Sequence, residues 1–313
     1  MTPINDRNLM EVKHERGAGI FLGCIVATVA ILTMVWGSVM DGFIRFKTPF
    51  CITTAESNID LIIKGIRTLD PEIAIIGSSL SNRLAPGLFA NDNVMHLSVR
   101  GGSVMTGMEV LSSAPSLPKV ILVEINILDR EVNDEWKNKG IAAAQSRPWV
   151  ILSGVSKPLR YILTPPFFSY SPPDQQAAWR SNRRTVLHSQ NAATYDIHSL
   201  VSAGRVKWDQ RNDWDIADQN FKRIQELTTV FESRGAKVYL LYLPYADGYD
   251  HHAYAQRNRE IASGNDAFTC QRCIDVRRLV AVEELRWTDG VHLDERSALM
   301  VAEALEKRLL PEL

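Results

Sequence analysis

Val120–Ile127 reads VILVEINI, an almost continuous apolar run. A run this short and this apolar is typical of a β-strand that is buried on both faces, as strands of a parallel sheet are. Shorter runs of the same kind occur at Ile73–Ile76, Asn93–Val99 and Val238–Leu243. Helical patterns alternate with these runs. The alternation predicts an α/β fold with a central parallel sheet covered by helices on both sides.

Three helices are predicted between and after the strands. One covers Val104–Ser113, and a second ends at Gly235. The last begins after Asp294, a residue type that favours the N-cap position. The apolar residues with helical spacing are Phe221, Ile224, Leu227 and Phe231 in the second helix and Ala298, Val301, Ala302, Leu305 and Leu309 in the last.

The composition fits one large globular domain. The chain has 313 residues, of which 45% are hydrophobic, and its net charge is −1. This length is sufficient for a sizeable core. Nucleic-acid binding usually requires a strongly basic face, so the near-neutral charge argues against a nucleic-acid partner.

A long uncharged segment at 17–40 predicts a membrane anchor. As a helix it would extend ~36 Å, enough to cross a hydrocarbon core of about 30 Å. A cleaved signal peptide, the alternative, has a shorter apolar core and a recognisable cleavage site. Three Lys or Arg residues precede the span and two follow it closely, which favours a cytoplasmic N-terminus at 1–16. Residues 41–70 are then a juxtamembrane stalk with a helix, and the domain is 71–313, outside the cytoplasm.

The C-x-x-C pair formed by Cys270 and Cys273 is interpreted as a short-loop disulfide, because the domain is predicted to lie outside the cytoplasm. Half of a zinc site and a redox motif are the alternatives. No second pair of metal-ligand spacing accompanies it.

The segment 130–218 interrupts the alternation of strands and helices. It is rich in aromatic residues and proline, and it is predicted to be a packed insertion or, alternatively, a lid, a substrate-binding region or a docking surface. Its basic residues Arg180, Arg183 and Arg184 form a solvated face or bind an anionic glycan.

Ser79 is the first candidate for chemistry. It lies in Ile76–Ser81 (IGSSLS), at the junction between the first strand and a predicted helix. A nucleophile there is exposed at the carboxyl edge of the sheet, where open α/β folds bind ligands. The free amides of a helix N-terminus would stabilise a developing negative charge. The alternative is a serine that only caps the helix.

Asp289 and His292 are the second candidate, within Trp287–His292 (WTDGVH) just before the last helix. A serine hydroxyl needs a base to accept its proton, and an Asp on the other ring nitrogen fixes the tautomer of that base. On a tight turn that contains glycine, these two side chains can meet. The alternative is a turn-capping Asp beside a surface His.

Asn126, at the end of the third strand, is the third candidate. A side-chain amide there can donate a hydrogen bond to an oxyanion, an effect of roughly 3 kcal/mol in other hydrolases. Gly101 and Gly102, after the second strand, offer backbone amides that no side chain obstructs. The alternatives are an ordinary strand-terminal Asn and a flexible turn.

Together these stretches resemble the SGNH/GDSL hydrolase superfamily, whose blocks run from a Gly-x-Ser-Leu motif to a terminal D-x-x-H. The resemblance covers roughly 70–310 without the insertion. It implies an SGNH (flavodoxin-like) three-layer fold, Ser79 as nucleophile, an Asp289–His292 pair as its base, and an oxyanion hole formed by Ser79, Gly101 or Gly102, and Asn126. No cofactor or metal is implied.

The chain departs from the family pattern at three positions. Ser78 stands where the family usually has Asp, and Glu124 and Ile127 replace the glycine and aspartate that often flank the asparagine. These departures concern the surroundings of the nucleophile and of Asn126.

The G-S-S variant with an N-terminal anchor resembles a branch of proteins that act beside membrane-bound O-acyltransferases. This resemblance implies a single-pass protein of the bacterial inner membrane with a periplasmic serine esterase or acyltransferase domain. Its substrate would be the ester-linked acyl groups, such as acetyl, of an exported polysaccharide. The alternative from another class is a non-catalytic scaffold that binds glycan or assembles a membrane acylation complex, and a redox role for the C-x-x-C pair is a third.

Overall fold

The computed structural model describes residues 27–28, 54–68, 70–91, 93–146, 184–188, 201–202, 208, 213–263 and 273–313. The chain divides into two compact units, and every element named below belongs to the unit formed by Thr53–Gly154 and Pro172–Leu313. Apart from 27–28, the predicted anchor at 17–40 lies outside the described residues. Within the described residues, no helix is long and apolar enough to cross a membrane.

Five parallel strands form the central sheet, in the order β2-β1-β3-β4-β5. They are β1 (Ile73–Gly77), β2 (Val94–Ser98), β3 (Val120–Glu124), β4 (Lys237–Tyr242) and β5 (Cys273–Asp275). Every residue of β1, β2 and β3 is buried, which is why these strands are apolar without alternation. The predicted parallel α/β sheet is confirmed. The sequence analysis missed β5, which has only three residues.

The strand order creates a crevice beside β1. The chain runs from β1 outward to β2 and then returns to β3 on the other side of β1. The loops after β1 and β3 therefore leave the sheet in different directions, and open α/β folds bind ligands at the carboxyl ends of such strands. Ser79 follows β1 by two residues.

The first helix, α1 (Thr54–Ile66), belongs to the domain rather than to a stalk. Ile62 and Ile66 are almost fully buried in the core. A side chain at Gly65 would collide with the backbone of His96 in β2. Because the helix packs this closely on the sheet, the compact unit begins at Thr53, not at 71 as the sequence predicted.

Helices α2 (Val104–Ser112) and α3 (Asp134–Ala144) follow β2 and β3. They pack against each other, and α3 also packs against α1. The start of the predicted insertion at 130–218 is therefore an ordinary covering helix of the fold. Its centre, from 147 to 183, lies outside the described residues, so the lid and docking interpretations stay predictions.

Four further helices complete the described fold, of which the first and the last were predicted from the sequence. They are α4 (Trp214–Ser233), α5 (Asp247–Asp250), α6 (Ala253–Ser263) and α7 (Glu295–Leu309). The helix predicted to end at Gly235 is α4, and this glycine has a φ of +90°. Asp294 is the N-cap of α7, where its side chain accepts a hydrogen bond from the Ser297 amide at 2.8 Å. All five apolar residues predicted for the inner face of α7 are buried.

Candidate active site

Ser79 is held at the carboxyl edge of the sheet by a short turn. A 3-10 turn at Ser81–Arg83 follows it, so the helix predicted there is wrong. Pro86 gives the reason: its ring forces Ala85 out of the helical region, to φ −57° and ψ 144°, and a helix started at Ser81 could not continue. The stabilisation of negative charge that was expected from a helix N-terminus at Ser79 would therefore have to come from individual hydrogen-bond donors.

The carboxylate of Glu124 organises the loop that carries Ser79. It is 1% exposed and accepts hydrogen bonds from the backbone amides of Ser78 at 2.8 Å and Ser81 at 3.1 Å. The Ser78 hydroxyl donates to the same carboxylate, 2.7 Å from its Oε1. A side chain at Gly77 would collide with Glu124 and Ser81, so glycine is required for this approach. Glu124 thus fixes the residues on both sides of Ser79.

His96 in β2 fixes the same loop from another direction. Its Nε2 lies 3.0 Å from the carbonyl oxygen of Ser81, and since a carbonyl only accepts, Nε2 carries the proton. Burial lowers the pKa of His96 to about 4, although the hydrogen bond to Ser81 acts in the opposite sense. The Ser81 hydroxyl donates to the hydroxyl of Ser98 in β2 at 2.8 Å.

The loop that carries His292 is closed by its own residues. Trp287 and Leu293 form an antiparallel bridge, and the Thr288 amide donates to the His292 carbonyl at 2.8 Å. Gly290 sits inside this turn at φ +88°, a conformation that residues with a side chain rarely adopt.

Ser79, His292 and Asp289 form one continuous chain of hydrogen bonds. The hydroxyl Oγ of Ser79 is 2.8 Å from Nε2 of His292, and Nδ1 of His292 is 2.6 Å from Oδ2 of Asp289. Because the carboxylate accepts at Nδ1, the proton of the neutral imidazole lies there, and Nε2 is free to accept from Ser79. The contact predicted between Asp289 and His292 is confirmed.

Asp289 is maintained as a carboxylate. Burial alone would raise its pKa, but hydrogen bonds from the ring and the amide of His292, the charge of that ring, and the Val291 amide outweigh it and lower the pKa to about 2. The two amides lie 2.8 Å and 3.1 Å from Oδ1. The base is therefore oriented by an ionised partner at any pH above about 3.

The backbone donors predicted for the oxyanion are the amides of Ser79, Gly101 and Gly102, and of these three residues Ser79 is the one that lines the cavity beside the nucleophile. Within the described part of the chain, the amides of Ser79 and Gly101 have no acceptor. The amide of Gly102 donates to the Val99 carbonyl at 3.3 Å, which favours Gly101 over Gly102 among the two predicted glycines. Gly101 has a φ of +72°.

The structure does not bring Asn126 to this site. Its side chain is fully buried and spans to β4, where it exchanges two hydrogen bonds of 2.7 Å with the backbone of Leu243. The amide is used to close the gap between the ends of β3 and β4. The oxyanion role predicted for Asn126 does not fit this position, since its side chain is fully buried and both of its polar atoms bond the backbone of Leu243.

That cavity has a volume of about 530 Å³. Besides Ser79, Asp289 and His292, its polar lining includes Asn82, Arg83 and Arg100, which the sequence analysis missed. Asn82 follows Ser79 by three residues, and its Nδ2 donates to the Ser98 carbonyl at 3.1 Å, which leaves a second N–H for a ligand. Position beside the nucleophile was the only signal in the sequence for Asn82.

Other predicted residues lie away from the cavity. Cys273 is disulfide-bonded, while Cys270 lies outside the described residues, as do Arg180 and Arg183. Arg184 pairs with Glu303 of α7 at 2.7 Å, so this arginine joins a salt bridge. Among the residues that the structure describes, no group of three or more His, Cys, Asp or Glu side chains could hold a metal ion.

Comparisons with protein-family models, with curated proteins and with solved structures found no match to this chain.

Proposed function

We propose that the chain is a serine hydrolase or acyltransferase of the SGNH type, which forms an acyl-enzyme on Ser79. The observation that carries the proposal is the unbroken contact from Ser79 through His292 to Asp289 beside a cavity. A serine, a neutral imidazole that accepts from it and an ionised orienting carboxylate are the parts that acyl transfer requires.

In the first step, Nε2 of His292 removes the proton of the Ser79 hydroxyl while Oγ attacks the carbonyl carbon of an ester. The carbonyl oxygen becomes an oxyanion, which the amides of Ser79 and Gly101 stabilise, with the free N–H of Asn82 as a third donor. The imidazolium then donates its proton to the leaving alcohol, and the ester bond breaks. Asp289 stabilises the imidazolium during both proton transfers.

In the second step, water or a sugar hydroxyl attacks the acyl-enzyme. His292 removes the proton of this acceptor and returns a proton to Ser79, so the enzyme is regenerated. Hydrolysis and transfer differ only in the acceptor that reaches the acyl-enzyme. No metal or organic cofactor takes part in these steps.

The substrate, the partner and the location proposed next are supported only by the resemblance to proteins that act beside membrane-bound O-acyltransferases. The substrate would be an acyl group, such as acetyl, on an exported polysaccharide, and a membrane-bound O-acyltransferase would be the partner. The anchor predicted at 17–40 would hold the domain at the periplasmic face of the inner membrane.

The test is turnover of p-nitrophenyl acetate by the full-length protein, compared with its Ser79→Ala and His292→Ala variants. Ser233→Ala is the matched control, because Ser233 is an exposed serine at the end of α4, before the amino end of β4. We expect the wild type and the control to turn over and both site variants to lose at least about 10³-fold in kcat.

If the wild type is as inactive as the two site variants, acyl chemistry on Ser79 is contradicted and the scaffold alternative gains. Repeating the assay with acetylated and unacetylated polysaccharide distinguishes the acceptors. Transfer predicts that p-nitrophenol release accelerates and that the polysaccharide gains acetyl groups, whereas hydrolysis predicts neither.

A further inference from the structure

Two arginines line the cavity beside Ser79 without a carboxylate partner. Neither Arg83 nor Arg100 has an ion pair in the part of the chain that the structure describes. Five other described arginines pair with acidic side chains, namely Arg184, Arg223, Arg257, Arg259 and Arg277, whereas some, such as Arg234 and Arg286, donate to backbone carbonyls instead. An unpaired guanidinium in a concave site is positioned for an anion from outside the protein.

Arg100 is anchored so that only its terminal nitrogens are available. Its backbone amide donates to the side chain of Asn58 at 2.9 Å, and the same side chain donates to the Arg100 carbonyl at 2.8 Å. Asn58 is fully buried in α1. The Nε of Arg100 donates to Asn82 at 3.1 Å, so two of its donors, Nη1 and Nη2, have no protein acceptor among the described residues.

The acidic side chains that line the same cavity are already engaged. Asp289 accepts from His292, Asp294 caps α7 and Glu295 has a partner of its own. None of them neutralises the arginines within ion-pair distance. The lining thus carries three carboxylates and two guanidinium groups, and its positive charge is confined to Arg83 and Arg100, which have no acidic partner within ion-pair distance among the described residues.

We propose that Arg83 and Arg100 form an anion-binding subsite, so that the preferred substrate is an ester that also carries a carboxylate or a phosphate. This inference rests on the proposed function of Ser79. A guanidinium can bind either a carboxylate or a phosphate through two parallel hydrogen bonds.

The test compares three chromogenic acyl esters on the full-length protein. p-Nitrophenyl acetate is neutral, mono-p-nitrophenyl succinate carries a carboxylate on the acyl side, and 4-acetoxy-3-nitrobenzoate carries one on the alcohol side. We expect kcat/KM for one anionic ester to exceed that for the neutral ester by roughly tenfold to a hundredfold, as charged hydrogen bonds allow. The side with the preference shows which part of the substrate the arginines bind.

Variants assign the preference to the two residues. Arg83→Ala and Arg100→Ala should each reduce the ratio of anionic to neutral kcat/KM, and the double variant should bring it close to one. Arg278→Ala is the matched control: Arg278 is exposed, lies outside the cavity and should keep the wild-type ratio. A wild-type ratio near one, or a double variant that retains the preference, would overturn the inference.

A binding measurement separates this inference from the proposed function. Inorganic phosphate should raise the Tm of the wild type more than sodium chloride of equal ionic strength does, and the double variant should lose this difference. Hydrolysis of the neutral ester without anionic preference and without phosphate binding contradicts the subsite and leaves the function. Phosphate stabilisation that depends on the arginines, in a protein that hydrolyses no ester, supports the subsite and contradicts the function.

Discussion

The loop that carries Ser79 and the loop that carries His292 meet at 2.8 Å, yet they are held by different kinds of contact. The Ser79 loop is fixed by residues from other strands: Glu124 is 46 positions away from Ser78, and His96 is 15 positions away from Ser81. The turn around His292 is shaped by Thr288, Asp289 and Gly290, all within four residues of the histidine. Two hydrogen bonds then attach it to the loop after β4: the Ala246 amide donates to the Gly290 carbonyl at 2.9 Å, and Nε1 of Trp287 donates to the Pro244 carbonyl at 3.1 Å.

This difference separates the residues that orient the catalytic histidine from the residues that support the loop of the nucleophile. The contacts that orient the His292 ring come from Asp289, three residues away, so a change at Asp289 should affect chemistry before it affects the fold. The Ser79 loop depends on buried partners that also belong to the core, so a change in these partners should affect stability together with activity.

The largest effect is expected from Asp289→Asn. The new amide would donate to Nδ1 of His292 and force the ring proton to Nε2, which could then no longer accept from Ser79. We expect kcat for p-nitrophenyl acetate to fall by about 10⁴-fold. The free energy of unfolding in urea should fall only modestly: the variant loses the charge that the fold favours at Asp289, but this side chain is partly exposed and its Oδ1 can still accept from the amides of Val291 and His292. A loss in the free energy of unfolding as large, in kcal/mol, as the loss of transition-state stabilisation would contradict the different roles given to the two loops.

Glu124→Ala is expected to act on stability first. It leaves two backbone amides and the Ser78 hydroxyl without an acceptor in a buried site, at a cost of roughly 1–3 kcal/mol for each unpaired group. Urea unfolding should therefore show a loss of about 3–5 kcal/mol.

Glu124→Gln is the matched variant for that experiment. The amide oxygen can still accept from Ser78 and Ser81, so we expect a smaller loss, about 1–2 kcal/mol, and measurable activity. If both variants unfolded like the wild type, the carboxylate would not support the loop.

The pH dependence of stability tests His96. The pKa of an unfolded histidine is about 6.5, whereas burial lowers that of folded His96 to about 4. As the pH falls from 7 to 4, the unfolded chain binds a proton that the folded protein does not, so stability decreases. We expect this residue to contribute a loss of about 3 kcal/mol over that range. His96→Gln, which retains a donor for the Ser81 carbonyl, should abolish that part of the pH dependence, and identical pH profiles would rule out a buried neutral His96.

Asn126→Ala gives the smallest expected effect on chemistry. The structure predicts unpaired backbone groups at Leu243 and a loss of about 1–3 kcal/mol in the free energy of unfolding. An oxyanion donor would instead cost about 10²- to 10³-fold in kcat. Measuring kcat at a temperature well below the Tm of the variant separates the two roles, and a loss of that size in kcat would restore the oxyanion role.

The contrast between the loops also explains what the sequence could predict. The turn with Asp289 and His292 was recognisable because its spacing, its glycine and its place before α7 are all local. The parallel sheet was recognisable because buried strands are apolar throughout. The role of Glu124 was not recognisable, since a single acidic residue in an apolar run shows no partner until the strands are aligned.

Two further predictions were wrong, for different reasons. The helix expected after Ser79 ignored the restriction that Pro86 places on Ala85. The oxyanion role of Asn126 assumed that a strand-terminal amide faces the cavity, whereas the neighbouring strand end at Leu243 takes both of its hydrogen-bonding atoms. The first restriction is visible in the sequence, whereas the second depends on which strand ends lie side by side, which composition and periodicity do not contain.

The most direct test of the central claim is the mass of the protein shortly after mixing with p-nitrophenyl acetate. The account predicts a species heavier by one acetyl group, with the modification on the peptide that contains Ser79. The species should be absent in Ser79→Ala, and it should form far more slowly in His292→Ala because the base is missing. Rapid release of p-nitrophenol without an acetylated Ser79 peptide would contradict the account.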